Sequence, residues 1–176
     1  MRPALASWAR ALLTLATPML ALSPLLAGCG LQPVYAGGAG GTVAQGLAAV
    51  EVPAIEGREG WLVRNALVDR LGQSGVEASP RYRLDVVLDD DLEAFGLLTD
   101  DTTGRERRIL RARFQLVDLA TGAILVDASA GSDAGIDVVG SEYATIAAEE
   151  TALENLAKAV ADRIVTRLTL TFSARS

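Results

Sequence analysis

Arginines are the residues of this chain best suited to bind an anion, and several lie close together in one segment. The segment contains Arg105, Arg107, Arg108, Arg111 and Arg113. At the two-residue period of a β-strand, Arg107, Arg111 and Arg113 share one face. Guanidinium groups bind phosphates through forked, charge-assisted hydrogen bonds, so these three are candidate contacts for a partner or an anionic ligand. The alternative is a solvated outer face, or cross-strand ion pairs with Asp85 and Asp89 on the neighbouring strand.

A second charged cluster consists of carboxylates between residues 89 and 101, which we expect to form an acidic loop. Its members are Asp89, Asp90, Asp91, Glu93, Asp100 and Asp101. Carboxylate oxygens are suitable ligands for Ca²⁺, but the spacing differs from that of a defined calcium loop. Paired carboxylates also serve glycoside hydrolysis, which requires a cleft between them. The interpretation we favour is a solvated turn without a metal.

The amino-acid composition removes much of the remaining catalytic chemistry. The chain has no histidine and one cysteine. A Ser-His-Asp or Cys-His site, a His-ligated zinc and an internal disulfide are therefore excluded. We predict a protein that is not an enzyme and that uses no cofactor apart from a covalent lipid on its cysteine.

The single cysteine, Cys29, directly follows an apolar N-terminal segment. Arg2 and Arg10 are the only charges before it, and residues 11–26 are almost entirely apolar, which is the layout of a secretory signal peptide. The sequence Leu-Ala-Gly-Cys at residues 26–29 resembles the lipobox of bacterial lipoproteins, which implies cleavage before Cys29 and acylation of the cysteine. The alternative is an ordinary signal peptide with an incidental cysteine. Several acyl chains would anchor the protein stably without a spanning helix.

The expected domain organisation follows from this cleavage site. Residues 1–28 form the signal peptide, and losing its two arginines lowers the net charge from −6 to −8. So acidic a chain is not a general nucleic-acid binder. Residues 36–41 are only Ala and Gly, which predicts a flexible lipidated tether over residues 29–46. Residues 47–176 are long enough for a single periplasmic α+β domain.

Hydrophobic periodicity within residues 47–176 predicts four strands and two helices. The strands are expected at residues 49–55, 81–92, 107–118 and 123–130, with a turn at 118–122. Helices are expected at residues 59–71 and 142–168, the second capped by Ser141. The fold class is α+β: a two-layer sandwich with a four-stranded, mainly antiparallel sheet and two helices on one face, in the order β-α-β-β-β-α.

Apolar positions in these elements identify the expected core. On the last strand, Ile124, Val126 and Ala128 should point to the same side. The apolar face of the last helix is expected to consist of Ile146, Leu153, Leu156, Ala157, Val160, Ile164 and Leu168. Trp61 and Tyr143 lie near the starts of the two helices, and we expect both in the core. The alternative for these aromatics is a role as contact anchors.

Several segments, taken in order, carry a resemblance to a known family. They are the lipobox with CGLQPVY at residues 29–35, GWLVRNALVDRL at 60–71, LVDLATGAIL at 116–125 and SEYATIAAEETALENLAKAVADRIVTRL at 141–168. Together they resemble the LPS-assembly lipoprotein family, LptE, in its α-proteobacterial form. The similarity extends over essentially the whole chain after the signal peptide.

The resemblance implies a non-enzymatic protein that sits in the lumen of the outer-membrane LPS-export β-barrel, helps that barrel assemble and contacts lipopolysaccharide. It also implies a sheet with two helices on one face. No contact residue of the family is transferred to this chain, so Arg107, Arg111 and Arg113 are candidates for partner or LPS contact from their spacing alone. Gly30 follows Cys29, which under the enteric sorting rule directs the protein to the outer membrane.

A second function remains open from the sequence. The chain could be the lipoprotein subunit of another envelope transport system, such as a phospholipid-trafficking ABC importer. Such a subunit would also present a small lipidated α+β domain to its partners. Co-purification distinguishes the two functions, because either the export barrel or an importer complex accompanies the tagged protein.

Overall fold

The computed structural model describes residues 41–72, 78–97 and 103–175, which all belong to one compact unit, residues 34–176. The signal peptide and Cys29 lie outside the described residues. The elements are α1 (Thr42–Ala48), β1 (Val50–Glu51), α2 (Gly57–Gly72), β2 (Tyr82–Leu97), β3 (Thr103–Asp118), β4 (Ile124–Asp137) and α3 (Glu142–Ser173). The predicted α+β class is confirmed, with one additional helix at the start.

The four strands form one sheet in the order β1-β2-β3-β4. β1 pairs with β2 in parallel, and the two pairs β2–β3 and β3–β4 are antiparallel. The sheet is therefore mainly antiparallel, as predicted. β1 is much shorter than expected, because only Val50 and Glu51 pair with a neighbour before the chain reaches Pro53, which has no N–H to donate to a ladder.

Helix α1 starts the domain earlier than the sequence analysis expected. Residues 42–46 were assigned to the tether, but they form most of this helix, and Val43 and Leu47 are buried. These residues are one helical turn apart, so they share a face, and α1 packs against α3. A Cβ atom on Gly46 would lie 3.1 Å from the Phe172 ring, which shows how closely the two helices approach.

Helices α2 and α3 pack against each other on one face of the sheet, with α3 over β3 and β4 and α2 next to β2. The fully buried side chains between the layers include Leu67, Leu84, Phe114 and Ile164. Burying such side chains contributes about 1.5–3 kcal/mol each. The inner face of β4 carries alanines, which leave room for α3 to lie close to this strand.

Two residues of the expected core are exposed. Ile146 is 48% exposed because the buried stripe of α3 passes through Thr145 instead, about 100° away around the helix. Ile124 is 57% exposed because a β-bulge at Leu116/Val117 pairs it with Val117 on the outer face of the sheet. The other predicted inward residues of α3 are buried.

The turn between β3 and β4 lies where the sequence predicts it. The backbone N–H of Gly122 donates to the carbonyl of Asp118 at 2.8 Å, and Gly122 has a φ of +71°, which favours glycine. The Asp118 carboxylate accepts hydrogen bonds from the N–H groups of Ala120 and Thr121. Burial acts to raise the pKa of Asp118, but these hydrogen bonds together hold it below its ordinary value.

Helix α3 extends past the predicted end at residue 168 to Ser173. Thr166, Thr169 and Thr171 each donate a hydroxyl hydrogen bond to the carbonyl four residues earlier, which lets polar β-branched residues remain in the helix. Ser141 is the N-cap as expected, but its side chain forms no capping hydrogen bond. Its carbonyl accepts from the N–H groups of Ala144 and Thr145 instead.

Candidate functional site on the open face of the sheet

The sheet face opposite the helices carries alternating charged residues from three strands. In the register of the sheet, Arg111 on β3 lies between Asp89 on β2 and Gly131 on β4. Because side chains alternate along a strand, Arg107 and Arg113 lie on this same face. We call this surface the open face. The structure thus brings the three candidate arginines together, as their spacing predicts.

Most arginines of the open face form ion pairs with aspartates. Across the β3–β4 pair, Arg105 contacts Asp137 at 2.9 Å, Arg107 contacts Asp133 at 3.1 Å and Arg113 contacts Asp127 at 3.2 Å. On β2, Arg83 contacts Asp85 at 2.9 Å. The expected alternative of cross-strand ion pairs is therefore present, but the partners of Arg107 and Arg113 are on β4. Asp85 pairs along its own strand.

Arg111 is the least tightly held of the three candidates. Its guanidinium lies 3.9 Å from Asp89 and 3.7 Å from Asp91, which is too far for a hydrogen bond. Among the described residues, Arg105, Arg107 and Arg113 each donate a hydrogen bond to an aspartate, and Arg111 does not. Arg111 therefore retains hydrogen-bond donors for another acceptor.

The ion pairs of the open face are exposed to water. The side chains of Arg107 and Asp133 are 47% and 53% exposed. Exposed pairs of this kind contribute about 0–1 kcal/mol each, so they organise the surface more than they stabilise the fold. The pKa of Asp127 lies below its ordinary value because Gln115 and then Arg113 donate hydrogen bonds to the carboxylate.

A shallow depression of about 410 Å³ lies in the middle of the open face. Arg111 and Arg113 line it together with the small residues Ser129 and Gly131 and the 72% exposed Val87. A Cβ atom on Gly131 would lie 3.4 Å from Cγ of Arg111, in ordinary van der Waals contact with the stem of this side chain. Asp89 also lines the depression, so it carries charges of both signs.

Arg108, the fifth arginine of the cluster, faces the helices. It forms a 2.6 Å ion pair with Asp90 and donates to the carbonyl of Glu149 on α3 at 3.2 Å. The hydrogen bond to Asp90 raises the pKa of Arg108, against the opposing effect of burial. This pair therefore connects the sheet to α3 and is not part of the open face.

The expected acidic loop is wrong for the described part of residues 89–101. Residues 89–97 continue strand β2. The register places Asp89 opposite Arg111 and Asp90 opposite Leu110. Three consecutive aspartates, residues 89–91, indicated a solvated turn, but the strand continues through them. Asp100 and Asp101 lie outside the described residues.

The expected burial of the two helical aromatics is also wrong. Trp61 is 60% exposed and Tyr143 is 88% exposed. Trp61 lies beside a groove between α2 and α3 that also includes Leu62 and Lys158. Both aromatics are one or two positions away from the buried residues of their helices, so the packing of the core does not require them.

The acidic partners Asp127, Asp133 and Asp137 were not identified from the sequence. Strand β4 was expected to end at residue 130, but it extends to Asp137. The aspartates continue the alternation along this strand. The signal is weak because Gly131 and Gly135 separate them and provide no hydrophobic pattern.

Two further properties concern the described residues alone. In this part of the chain, no group of His, Cys, Asp or Glu side chains is arranged to hold a metal ion. None of the helices within residues 41–72, 78–97 and 103–175 is long and apolar enough to span a membrane.

The fold and the open face define a class of small α+β domains in which helices cover one side of a four-stranded sheet and leave the other side charged and exposed to solvent. The family model LptE, described as lipopolysaccharide-assembly, matches residues 47–168. This match covers more than half of the chain, which therefore belongs to the LptE family. The predicted family is confirmed.

Solved structures of lipoproteins have the same fold. A lipoprotein of Caulobacter crescentus CB15 is 26% identical with a TM-score of 0.64, and the match covers 77% of this chain and 98% of that one. Rare lipoprotein B of Shewanella oneidensis is 16% identical with a TM-score of 0.50, covering 69% and 92%. Lipoprotein B of Nitrosomonas europaea is 16% identical with a TM-score of 0.53, covering 71% and 83%. No curated protein matches the chain.

Proposed function

We propose that this protein is an outer-membrane lipoprotein, acylated at Cys29, that docks in the LPS-export β-barrel. In this role it supports assembly of the barrel and insertion of lipopolysaccharide into the outer leaflet, and it performs no catalysis. The observation that carries the proposal is its membership of the LptE family over residues 47–168. The lipobox around Cys29 supports the anchor, and Gly30 after it supports outer-membrane sorting.

The open face supports docking in a barrel. The lumen of outer-membrane barrels is polar, so a domain inside it needs a charged and hydrated surface. Arg107, Arg111 and Arg113 form such a surface together with their aspartate partners. We assign contact with the barrel wall, or with the phosphates of lipopolysaccharide, to these three arginines. Arg111 is the strongest candidate because its own carboxylate partners are distant.

The test replaces Arg107, Arg111 and Arg113 together by glutamine. Glutamine is preferable to glutamate, because glutamate would place like charges beside Asp127 and Asp133. The matched control replaces three exposed arginines of the helical layer, Arg58, Arg163 and Arg167, by glutamine. The two variants have the same change in net charge.

Both triple variants should fold, because all six arginines are exposed and exposed ion pairs contribute little to stability. Only the open-face variant should co-purify less well with the tagged export barrel and make cells sensitive to large hydrophobic antibiotics. Equal behaviour of the two variants would exclude the open face as the docking surface. Recovery of an importer complex in place of the barrel would overturn the proposed function itself.

A further inference from the structure

Strand β2 has a long edge without a neighbouring strand. β1 pairs with β2 only at Tyr82 and Arg83. From residue 84 to residue 97, no described strand lies on that side of β2. A strand edge of this length presents a row of backbone N–H and C=O groups that another chain can pair with.

The hydrogen bonds at the start of β2 show which residues point toward this edge. Leu119 donates its N–H to the carbonyl of Arg81 at 2.9 Å, which makes Tyr82 and Asp118 a pair without mutual hydrogen bonds. Tyr82 instead donates to Ala49, on the β1 side, at 3.1 Å. Since the β2–β3 register continues without a bulge, the even-numbered residues of β2 direct their backbone groups to the free edge. Leu92 is one of them.

The carboxylates along this edge are incompletely neutralised. Asp89 and Asp91 share one arginine, Arg111, at 3.9 and 3.7 Å. Glu93 is in register with Arg107, but that guanidinium pairs with Asp133, and Glu93 forms no ion pair among the described residues.

The edge of β4 differs, because each of its outward aspartates has an arginine within hydrogen-bonding distance. The pairs are Asp127 with Arg113, Asp133 with Arg107 and Asp137 with Arg105. Within the described part of the sheet, the edge of β2 combines free backbone groups with carboxylates that lack a hydrogen-bonded arginine, and the edge of β4 does not.

We propose that the free edge of β2 binds an extended segment of a partner protein that carries Arg or Lys at alternate positions. The segment would add a strand to the sheet, and its basic side chains would face Asp89, Asp91 and Glu93 as those of β3 do on the other side. A second copy of this chain is a poor occupant, because both of its own strand edges carry acidic residues. The proposal does not depend on the identity of the partner or on docking in the barrel.

The experiment measures binding of short fluorescent peptides to the full chain in mild detergent. The probe alternates arginine with valine. One control peptide has glutamate in place of arginine, and another has the probe's composition with a proline added at its centre. Strand addition requires both the alternate charges and an unbroken row of peptide N–H groups, so only the first peptide should bind.

Variants of the chain separate strand addition from charge attraction. Leu92→Pro removes an N–H from the free edge without touching the β3 ladder, and Leu92→Ala is its matched control. Asp89→Asn with Asp91→Asn removes two carboxylates from the β2 edge, and Asp133→Asn with Asp137→Asn removes two from the β4 edge. Leu92→Pro and the β2 pair should each weaken binding about tenfold relative to their controls.

Hydrogen exchange provides a second measurement. Bound peptide should slow exchange of the even-numbered amides of β2, including Leu88 and Leu92, and leave the odd-numbered amides unchanged. The proposal is overturned if no peptide binds, or if the β4 aspartate pair has the same effect as the β2 pair. It is also overturned if Leu92→Pro binds as well as Leu92→Ala, because the attraction would then be electrostatic adsorption only.

Discussion

Two isoleucines on helix α3 provide a direct test of the helix–sheet interface. Ile164 is 0% exposed and Ile146 is 48% exposed, although the sequence pattern places both on the same apolar face. Ile164→Ala removes buried methyl groups and leaves a cavity, which costs about 2–5 kcal/mol. For a domain of this size, the corresponding decrease in melting temperature is about 8–20 °C.

Ile146→Ala is the matched control, with the same substitution in the same helix. Ile146 is about half exposed, so its replacement removes less buried apolar surface. Alanine is also the better helix former by a few tenths of a kcal/mol, and the melting temperature should therefore change by about 4 °C or less. Thermal unfolding followed by far-UV circular dichroism measures both melting temperatures. Equal decreases for the two variants would refute the assigned rotation of α3, and no decrease for Ile164→Ala would refute its burial.

Further predictions concern an ion pair, acid stability and the lipid anchor. Arg108→Met should destabilise the domain by about 2 kcal/mol or more, because it leaves Asp90 beneath α3 without its partner. In a double-mutant cycle, adding Asp90→Asn should restore part of the lost stability, and additive losses would contradict the prediction. The pKa of Asp162 lies below its ordinary value because Arg70 donates hydrogen bonds to it, so its contribution is present above about pH 4 and is lost as the pH falls through the lowered pKa. The difference in melting temperature between the wild type and Asp162→Asn should therefore decrease from about pH 7 to about pH 3. Cys29→Ala should abolish acylation and release the protein from the membrane fraction, and retention after a carbonate wash with the signal peptide removed would contradict this.

Much of the sheet was predictable because β2 and β3 alternate apolar and polar residues. Leu110, Phe114 and Leu116 on β3 are separated by even numbers of residues, so they lie on one face of the strand and are buried together. The bulge at Leu116/Val117 was not predictable from the sequence. The extra residue of β4 lies in the run Ile124–Leu125–Val126, where all residues are apolar and no alternation shows which face each one occupies. Helix α1 was missed because a Gly/Ala run precedes it and because so short a helix depends on its packing against α2 and α3, which the sequence does not show.

The candidate site was predictable in part. The shared face of Arg107, Arg111 and Arg113 follows from the period of a strand and needs no tertiary information. Their partners do not follow from it, because a period shows which residues share a face but not which strand lies alongside. Asp127 and Asp133 can be identified as partners only when the β3–β4 register is known.

Ion pairing on the open face does not prevent its arginines from binding a partner. Each pair is about half exposed, so an intramolecular aspartate contributes little beyond what water and counterions already provide. A phosphate or carboxylate from a partner can therefore replace Asp133 or Asp127 at small cost, and it gains most at Arg111, where no hydrogen bond must first be broken. The aspartates would then compete with incoming anions, so a ligand must form better hydrogen bonds to the arginines than the aspartates do. This is how a chain with an acidic net charge can still present arginines to an anionic ligand.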